Sequence, residues 1–508
     1  MNITKIRYSM ARPVFQFLAN LHWHRKGYGV NLRFLIRYAG IDENSLSDSV
    51  KSKLDKKVVA LAKVGGGYIL RNSLVFPVLD YNEEDLLEPF KYGALAVVAT
   101  KVIPGYPTIV VDNPMFVYAR MANYFRELSK APVTAVVGSI GKTTTKMMLG
   151  SVYKQSAKTS CENGNFTNIT HILQLCQHFS PKYRQLICEI SEANYGTIEA
   201  ASIALRPKVA VITAIDLSHM EEYGDPEEIK RQVCSISKNL ADDGVVIVNK
   251  DEFTSWNYLN ERKVLTVSTK GDANYVAHNI IVDTEGIEFE IIDNIQKKSH
   301  PIRLKNVWGI HNVGIALQAF AAGAFLGMTD KSIIKGLGKY HTQGIRQNAY
   351  WTLNGNLVYA DCYNAVAKSI SSAMSAAESI PLKNGKKLAV IADVEEAGVV
   401  SEETHLQIVD IINHSKFDTV IVYGPKLNKA LDTYYDEIRT HIIRCDSFGK
   451  VMRALNQNVK KGDLVLFKSS HSWHLDKCIK KKWPVSFYWK LLQEKLPYLL
   501  WRISIEFN

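Results

Sequence analysis

The chain has 508 residues, 46% of them apolar and 22% charged, with a formal charge of +12. That length is about three ordinary domains and that balance belongs to a folded globular protein, which excludes a small disulfide-stapled scaffold and a disordered or fibrous chain. No run approaches the roughly 18 consecutive apolar residues of a spanning helix. The first twenty residues lack an apolar core followed by a small-residue cleavage site, so export is not expected. Seven cysteines, at 161, 176, 188, 234, 362, 445 and 478, form no Cys-x-x-Cys pair, which suits a reducing cytoplasm. Excess positive charge attracts phosphates, nucleic acid and anionic lipid alike and does not choose among them.

From Met1 to Ile41 there are seven basic residues and no acid, interleaved with Phe15, Phe17, Trp23 and Phe34. Such a segment can lie on an anionic membrane surface; the expected reading is a basic helix packed on its own domain through its apolar face. A second basic stretch, Lys477 to Lys482, precedes an aromatic tail ending in Trp501 and is read the same way. A turn at Gly65-Gly66-Gly67 and a short strand at Ala94 to Val98 follow the first stretch. A helix-like run, Val117 to Leu128, stops before Pro132, and Val133 to Val137 reads as a buried strand that opens a new domain. Further apolar runs at Leu186 to Ile190, Val209 to Ile215 and Val245 to Val248 alternate with amphipathic segments, the pattern of a mostly parallel sheet covered by helices. Asn306 to Gly336 reads as largely helical. Leu357 to Ala360, Leu388 to Ile391, Thr419 to Val422 and Leu464 to Phe467 then read as a second parallel sheet. The fold class is α/β in three domains: 1–130, small and N-terminal; 131–341, central, with the first mostly parallel sheet; and 342–508, C-terminal, with the second.

The most specific local feature is Gly138-Ser139-Ile140-Gly141-Lys142-Thr143-Thr144, directly after one strand and before a helix-compatible run. Backbone N–H groups of such a loop cradle phosphates, Lys142 neutralises the outer ones, and a Thr hydroxyl reaches Mg2+. Glu189 and His219 fall at the C-terminal ends of parallel strands, where open sheets hold their ligands. A carboxylate and an imidazole there can hold a metal beside the phosphates.

Together with Asn163-Gly164-Asn165-Phe166-Thr167-Asn168, Glu189 with Gly196, His219-Met220-Glu221, Asn249-Lys250-Asp251, Gly309-Ile310-His311-Asn312 and Asp361-Cys362-Tyr363-Asn364-Ala365, the loop resembles the Mur ligases over roughly residues 94 to 476. These are ATP-dependent enzymes that form amide bonds through an acyl phosphate. Ser369, Asp393-Val394-Glu395-Glu396-Ala397-Gly398 with His405, and Lys468-Ser469-Ser470 resemble the branch that adds D-alanyl-D-alanine to the UDP-muramyl peptide.

The resemblance implies a substrate-binding N-terminal domain, a central phosphate-loop ATPase and a Rossmann-like C-terminal domain, with ATP and Mg2+ as cofactors. Catalysis would fall to Lys142, Glu189 and His219, with Thr143, Glu189 and His219 holding the metal. Gly138, Ser139, Gly141, Lys142, Thr143 and Thr144 would bind phosphates, Asn312 the adenine, and Arg346 and Asp361 the ribose and phosphates from the C-terminal side. The implied partners are a small-molecule carboxylate, such as a UDP-linked muramyl peptide, and an amine, with no nucleic acid. The implied setting is the cytoplasm, with the basic N-terminus as a peripheral membrane contact.

The departures are local. Val233 stands where the family carries a carbamoylated lysine fourteen residues after the histidine, and Lys230 lies one helical turn earlier, with solvated helix surface as its expected role. Ala214, Ile315, Ala360 and Val366-Ala367 also replace the usual residues, Gly344-Ile345-Arg346 is one residue longer, His471 replaces Arg, and the first domain lacks an Asp-Ser-Arg signature. The missing lysine, the replaced asparagines and the basic amphipathic N-terminus motivate a second reading, a nucleotide-binding pseudo-ligase acting as a partner subunit or membrane-associated scaffold.

Overall fold

The computed structural model describes residues 29–486 apart from 64–71, 78–84, 86, 162–166, 178, 193, 217–222, 224, 260, 343, 396–397, 435–437 and 485. Residues 1–28, the Gly65 triplet, Asn163 to Phe166, His219 with Met220, Glu221 and Gly224, the Glu396-Ala397 pair and the Trp501 tail lie outside the described residues.

The N-terminal unit begins with a two-stranded ribbon, β1 (Val30–Asn31) with β2 (Lys57–Val58), around the helix Leu32–Tyr38. That helix turns Leu32, Leu35 and Ile36 fully inward, while Arg33 and Arg37 reach Glu43 at 2.6 and 2.5 Å. For this part of the basic stretch, packing on its own domain is the observed use. A parallel sheet follows in the order β3 (Ala60–Lys63), β4 (Ser73–Phe76), β5 (Ala96–Ala99) and β6 (Thr108–Val110). Asn113 caps the helix Pro114–Glu127 by accepting from Phe116 N. That helix joins the first unit to the second: Tyr118 stacks on Phe76 at 4.4 Å, and Asn123 Nδ2 donates to Ala204 O at 3.0 Å.

The central sheet has the order β15-β14-β13-β12-β11-β10-β7-β9-β8. β7 (Val133–Val137), β8 (Thr159–Cys161), β9 (Gln185–Glu189), β10 (Val209–Ile212), β11 (Val245–Asn249) and β12 (Val264–Ser268) are parallel. Their near-continuous apolar runs arise because helices cover both faces. β10 ends three residues before the apolar run does, because Thr213 and Ala214 turn to pin the phosphate loop: Ser139 N and Ile140 N both donate to Ala214 O, at 2.8 and 3.2 Å. β13 (Tyr275–Asp283) continues the sheet in parallel, and β14 (Gly286–Asp293) and β15 (Lys298–Lys305) extend it antiparallel. Their hydrophobicity alternates because only one face is buried, so no unbroken apolar run marks them in the sequence. The segment from Asn306 onward forms two helices, Ile310–Phe325 and Asp330–Gly338, split by a turn in which Gly327 takes φ +75°.

The C-terminal sheet has the order β16-β17-β21-β18-β19-β20. β16 (Asn348–Trp351) is antiparallel to β17 (Leu357–Asp361), and β18 (Lys387–Ala392), β19 (Thr419–Tyr423), β20 (Ile442–Cys445) and β21 (Leu464–Lys468) run parallel to β17. Trp308, just ahead of the helix Ile310–Phe325, is buried among this unit's core residues, and its indole N–H donates to Asp283 O at 2.9 Å. Six of the seven thiols are buried; Cys161, at the end of β8, is half-buried and would lie 3.1 Å from a Cβ at Gly150. No helix among the described residues is long and apolar enough to cross a membrane.

Candidate active site

The site is assembled at the C-terminal ends of β7, β9 and β10 and closed from the other side by the end of β17, where parallel sheets collect ligands. After β7 the chain turns at Gly138 (φ +124°) and Gly141 (φ +88°) and enters the helix Lys142–Tyr153. A Cβ at Gly138 would lie 2.3 Å from Thr213 Oγ1, so only glycine fits this close approach. The first backbone N–H groups of the helix have no intrahelical partner and face the cleft, the geometry that holds phosphate.

Register places Glu189 beside this loop, since it pairs with Val136 of β7. Glu189 is buried; its Oε1 accepts from Thr143 Oγ1 at 2.9 Å, and its Oε2 lies 2.8 Å from Lys146 Nζ. Lys142 turns back over the loop: its ammonium donates to Gly138 O and to Ser139 O, and meets Glu192 Oε2 at 2.7 Å. Thr143 Oγ1 and the Glu189 carboxylate are adjacent hard oxygen donors, the chemistry Mg2+ takes. The third expected ligand, His219, lies outside the described residues.

From the opposite side, Arg346 lays its guanidinium 3.4 Å from the centre of the Tyr363 ring. Burial pushes its pKa below the ordinary value, against the opposing pull of Tyr363, Glu189 and Asp361. Asp361 sits opposite Lys468 in the β17–β21 register; its Oδ2 lies 2.9 Å from Lys468 Nζ, and its Oδ1 accepts from Gln347 N at 3.3 Å. Loop, Glu189, Arg346, Asp361 and Lys468 thus line one cleft of about 1150 Å³.

An adjoining recess of about 930 Å³ shares Ile140, Gly141, Gln347, Asp361 and Ser369 and runs back past Asn249, Phe253, His311 and Ile315. Its mixed polar and apolar walls suit a nucleoside base and sugar. Asn312 is buried one position behind this lining: its Nδ2 donates to Trp308 O at 2.7 Å and to Gln347 Oε1 at 3.1 Å, and its Oδ1 accepts no bond among the described residues. His311 Nε2 lies 3.0 Å from Gln347 Oε1, and burial lowers the imidazole pKa. Lys368 of the C-terminal unit meets Glu252 of the central one at 2.7 Å across the recess.

Val233 is fully buried on the apolar face of the helix Pro226–Cys234, so it offers nothing to a metal. Lys230 borders the recess while pairing with Glu227 at 2.6 Å, closer to the site than a solvated helix face would put it. Asp393 and His405 have structural partners: Asp393 accepts from Lys426 N and Leu427 N at 2.8 Å each, capping the helix Pro425–Thr433, and His405 Nε2 accepts from Val394 N at 3.2 Å. Sequence reasoning missed Lys146, Glu192 and Gln347. Lys146 was within reach of it, because a lysine three residues after Thr143 lies on the same helix face.

With this geometry in view, the comparisons with known proteins are specific. Residues 136–323 match the Mur ligase middle domain and residues 346–471 the Mur ligase, glutamate ligase domain. A UDP-N-acetylmuramoyl-tripeptide--D-alanyl-D-alanine ligase of Bacillus subtilis (strain 168) is 31% identical over 405 residues, covering 77% of this chain and 86% of that protein. A crystal structure of MurF from Acinetobacter baumannii superposes with a TM-score of 0.72 at 21% identity over 89% of this chain and 98% of its own. MurF ligase from Thermotoga maritima in complex with ADP gives 0.68 at 22% identity over 86% and 98%. The chain therefore belongs to the Mur ligase family, as a MurF-like, ATP-dependent ligase with the α/β architecture of that group.

Proposed function

We propose that the protein joins a carboxylate to an amine with hydrolysis of ATP to ADP and phosphate, and that its substrates are those in its relatives' name, a UDP-N-acetylmuramoyl tripeptide and D-alanyl-D-alanine. The observation that carries the reading is the cleft in which Lys142, Thr143 and Glu189 face Arg346, Asp361 and Lys468. Phosphoryl transfer needs positioning and charge stabilisation rather than covalent help from the protein. In this reading the loop amides and Lys142 hold the phosphates, Arg346 reaches them from the opposite lobe, and the recess lined by His311 and Gln347 takes the nucleoside, with Asn312 Oδ1 as the acceptor for an exocyclic amine. Thr143, Glu189 and His219 would hold Mg2+, which when bound would draw charge off the phosphate oxygens. The carboxylate is activated as an acyl phosphate, and the amine then displaces phosphate. The three units divide near residues 130 and 341, the N-terminal one receiving the carboxylate substrate and the C-terminal one the amine. The setting is cytoplasmic, with the basic N-terminal stretch as a peripheral contact to anionic membrane.

The test is phosphate release by the purified protein, expected only when ATP, the muramyl tripeptide and D-alanyl-D-alanine are all present. Release that ignores either the carboxylate or the amine rejects the reading. The apolar burial of Val233 favours one alternative, a nucleotide-binding partner subunit without turnover. Lys142→Ala separates the two: it lowers turnover and cellular function together by 100-fold or more if the protein is a ligase, and leaves cellular function intact if it is a scaffold.

A further inference from the structure

We propose that Glu192 makes nucleotide binding at the Gly138–Thr144 loop depend on a divalent cation, by holding Lys142 until metal-bound phosphates take its place. This rests on the reading of that loop as the phosphate site for ATP. An ammonium has three N–H donors, and those of Lys142 are taken by Gly138 O, Ser139 O and Glu192 Oε2, of which only the last is charged. Phosphate oxygens that engage Lys142 therefore compete with a carboxylate for the same ammonium.

That carboxylate has little room to leave. Glu192 is 1% exposed, and its main chain is fixed by the Tyr223 hydroxyl, which donates to Glu192 O. Three residues earlier Glu189 is also buried, already engaged by Thr143 and Lys146. Metal-free ATP entering here sets its own negative charge against a displaced, buried carboxylate in a poorly solvated site, where like charges repel most strongly. Were a dication to accompany the phosphates, Glu192 would keep a cationic neighbour when Lys142 turns to the phosphates, and the conflict would be removed. Carboxylate oxygens of this kind suit Mg2+.

The experiment is calorimetry of the full chain with a non-hydrolysable ATP analogue, in Mg2+ and in EDTA. In the wild type the analogue is expected to bind at least 100-fold more tightly with Mg2+. In Glu192→Gln, which keeps the shape and loses the charge, the ratio of the two dissociation constants falls at least tenfold, mainly because metal-free binding improves. A ratio unchanged within twofold overturns the proposal while leaving the ATP reading in place. Binding by neither protein in either buffer overturns both. Should the Gln variant fail to fold, Glu192→Ala is held to the same ratio.

Discussion

Individual side chains at this site are defined more by what they touch across the fold than by their sequence neighbours. His311 shows the consequence for pH. Burial lowers its folded-state pKa, so between that value and the ordinary one near 6.5 the unfolded chain binds the extra proton. Stability on this account is complete above about pH 6.5 and is lost as pH falls toward the depressed value. Chemical denaturation from pH 8 to pH 5 is expected to show that decline, and His311→Gln, which retains a hydrogen-bonding group toward Gln347, to flatten it. The family motif contained both His311 and Asn312; His311 lines the recess, while Asn312, buried beside it, bonds Gln347 through Nδ2 and keeps Oδ1 as the acceptor proposed for the base. A motif records residue types at fixed spacing; which member faces the ligand is set by how the helix Ile310–Phe325 is rotated against the C-terminal unit.

At the level of elements, β7, β9, β10, β11, β17, β18, β19 and β21 were legible because helices on both faces demand unbroken apolar runs, and β7 is identical in sequence and structure, Val133–Val137, whereas the parallel strands β3, β4, β6, β8, β12 and β20 were not read. The antiparallel extension β13 to β15 was not, because a half-exposed sheet edge writes only alternation. The phosphate loop was legible from its glycines and lysine, but its anchoring to Ala214 O comes from the next strand and is invisible locally. Gly138→Ala tests that anchoring. A methyl group 2.3 Å from Thr213 Oγ1, at φ +124°, forces the loop off β10. Backbone strain of this kind costs about 1–3 kcal/mol. The expected result is a Tm lower by a few degrees, with nucleotide binding weakened at least 100-fold by calorimetry, a loss out of proportion to the loss of stability.

For the molecule as a whole, contacts between the central and C-terminal units include Trp308 buried in the C-terminal core, Gln347 bonded to Asn312, and Lys368 paired with Glu252. The last pair is half exposed and contributes at most about 1 kcal/mol, but it spans the nucleoside recess. Reversing the charge in Lys368→Glu sets two carboxylates against each other there. It is expected to raise the KM for ATP about three- to tenfold with kcat little changed, and to weaken that effect in high salt. Steady-state kinetics at two ionic strengths checks both. The placing of all seven thiols in the central and C-terminal units carries a separate consequence. Burial pushes Cys176, Cys234 and Cys478 up to about 12, and their thiolates are too scarce to react while the fold is intact. A maleimide dye should therefore mark the native protein once, at Cys161 behind the phosphate-loop helix, and gain the other six sites only as the chain opens, turning label stoichiometry into a clock for denaturation.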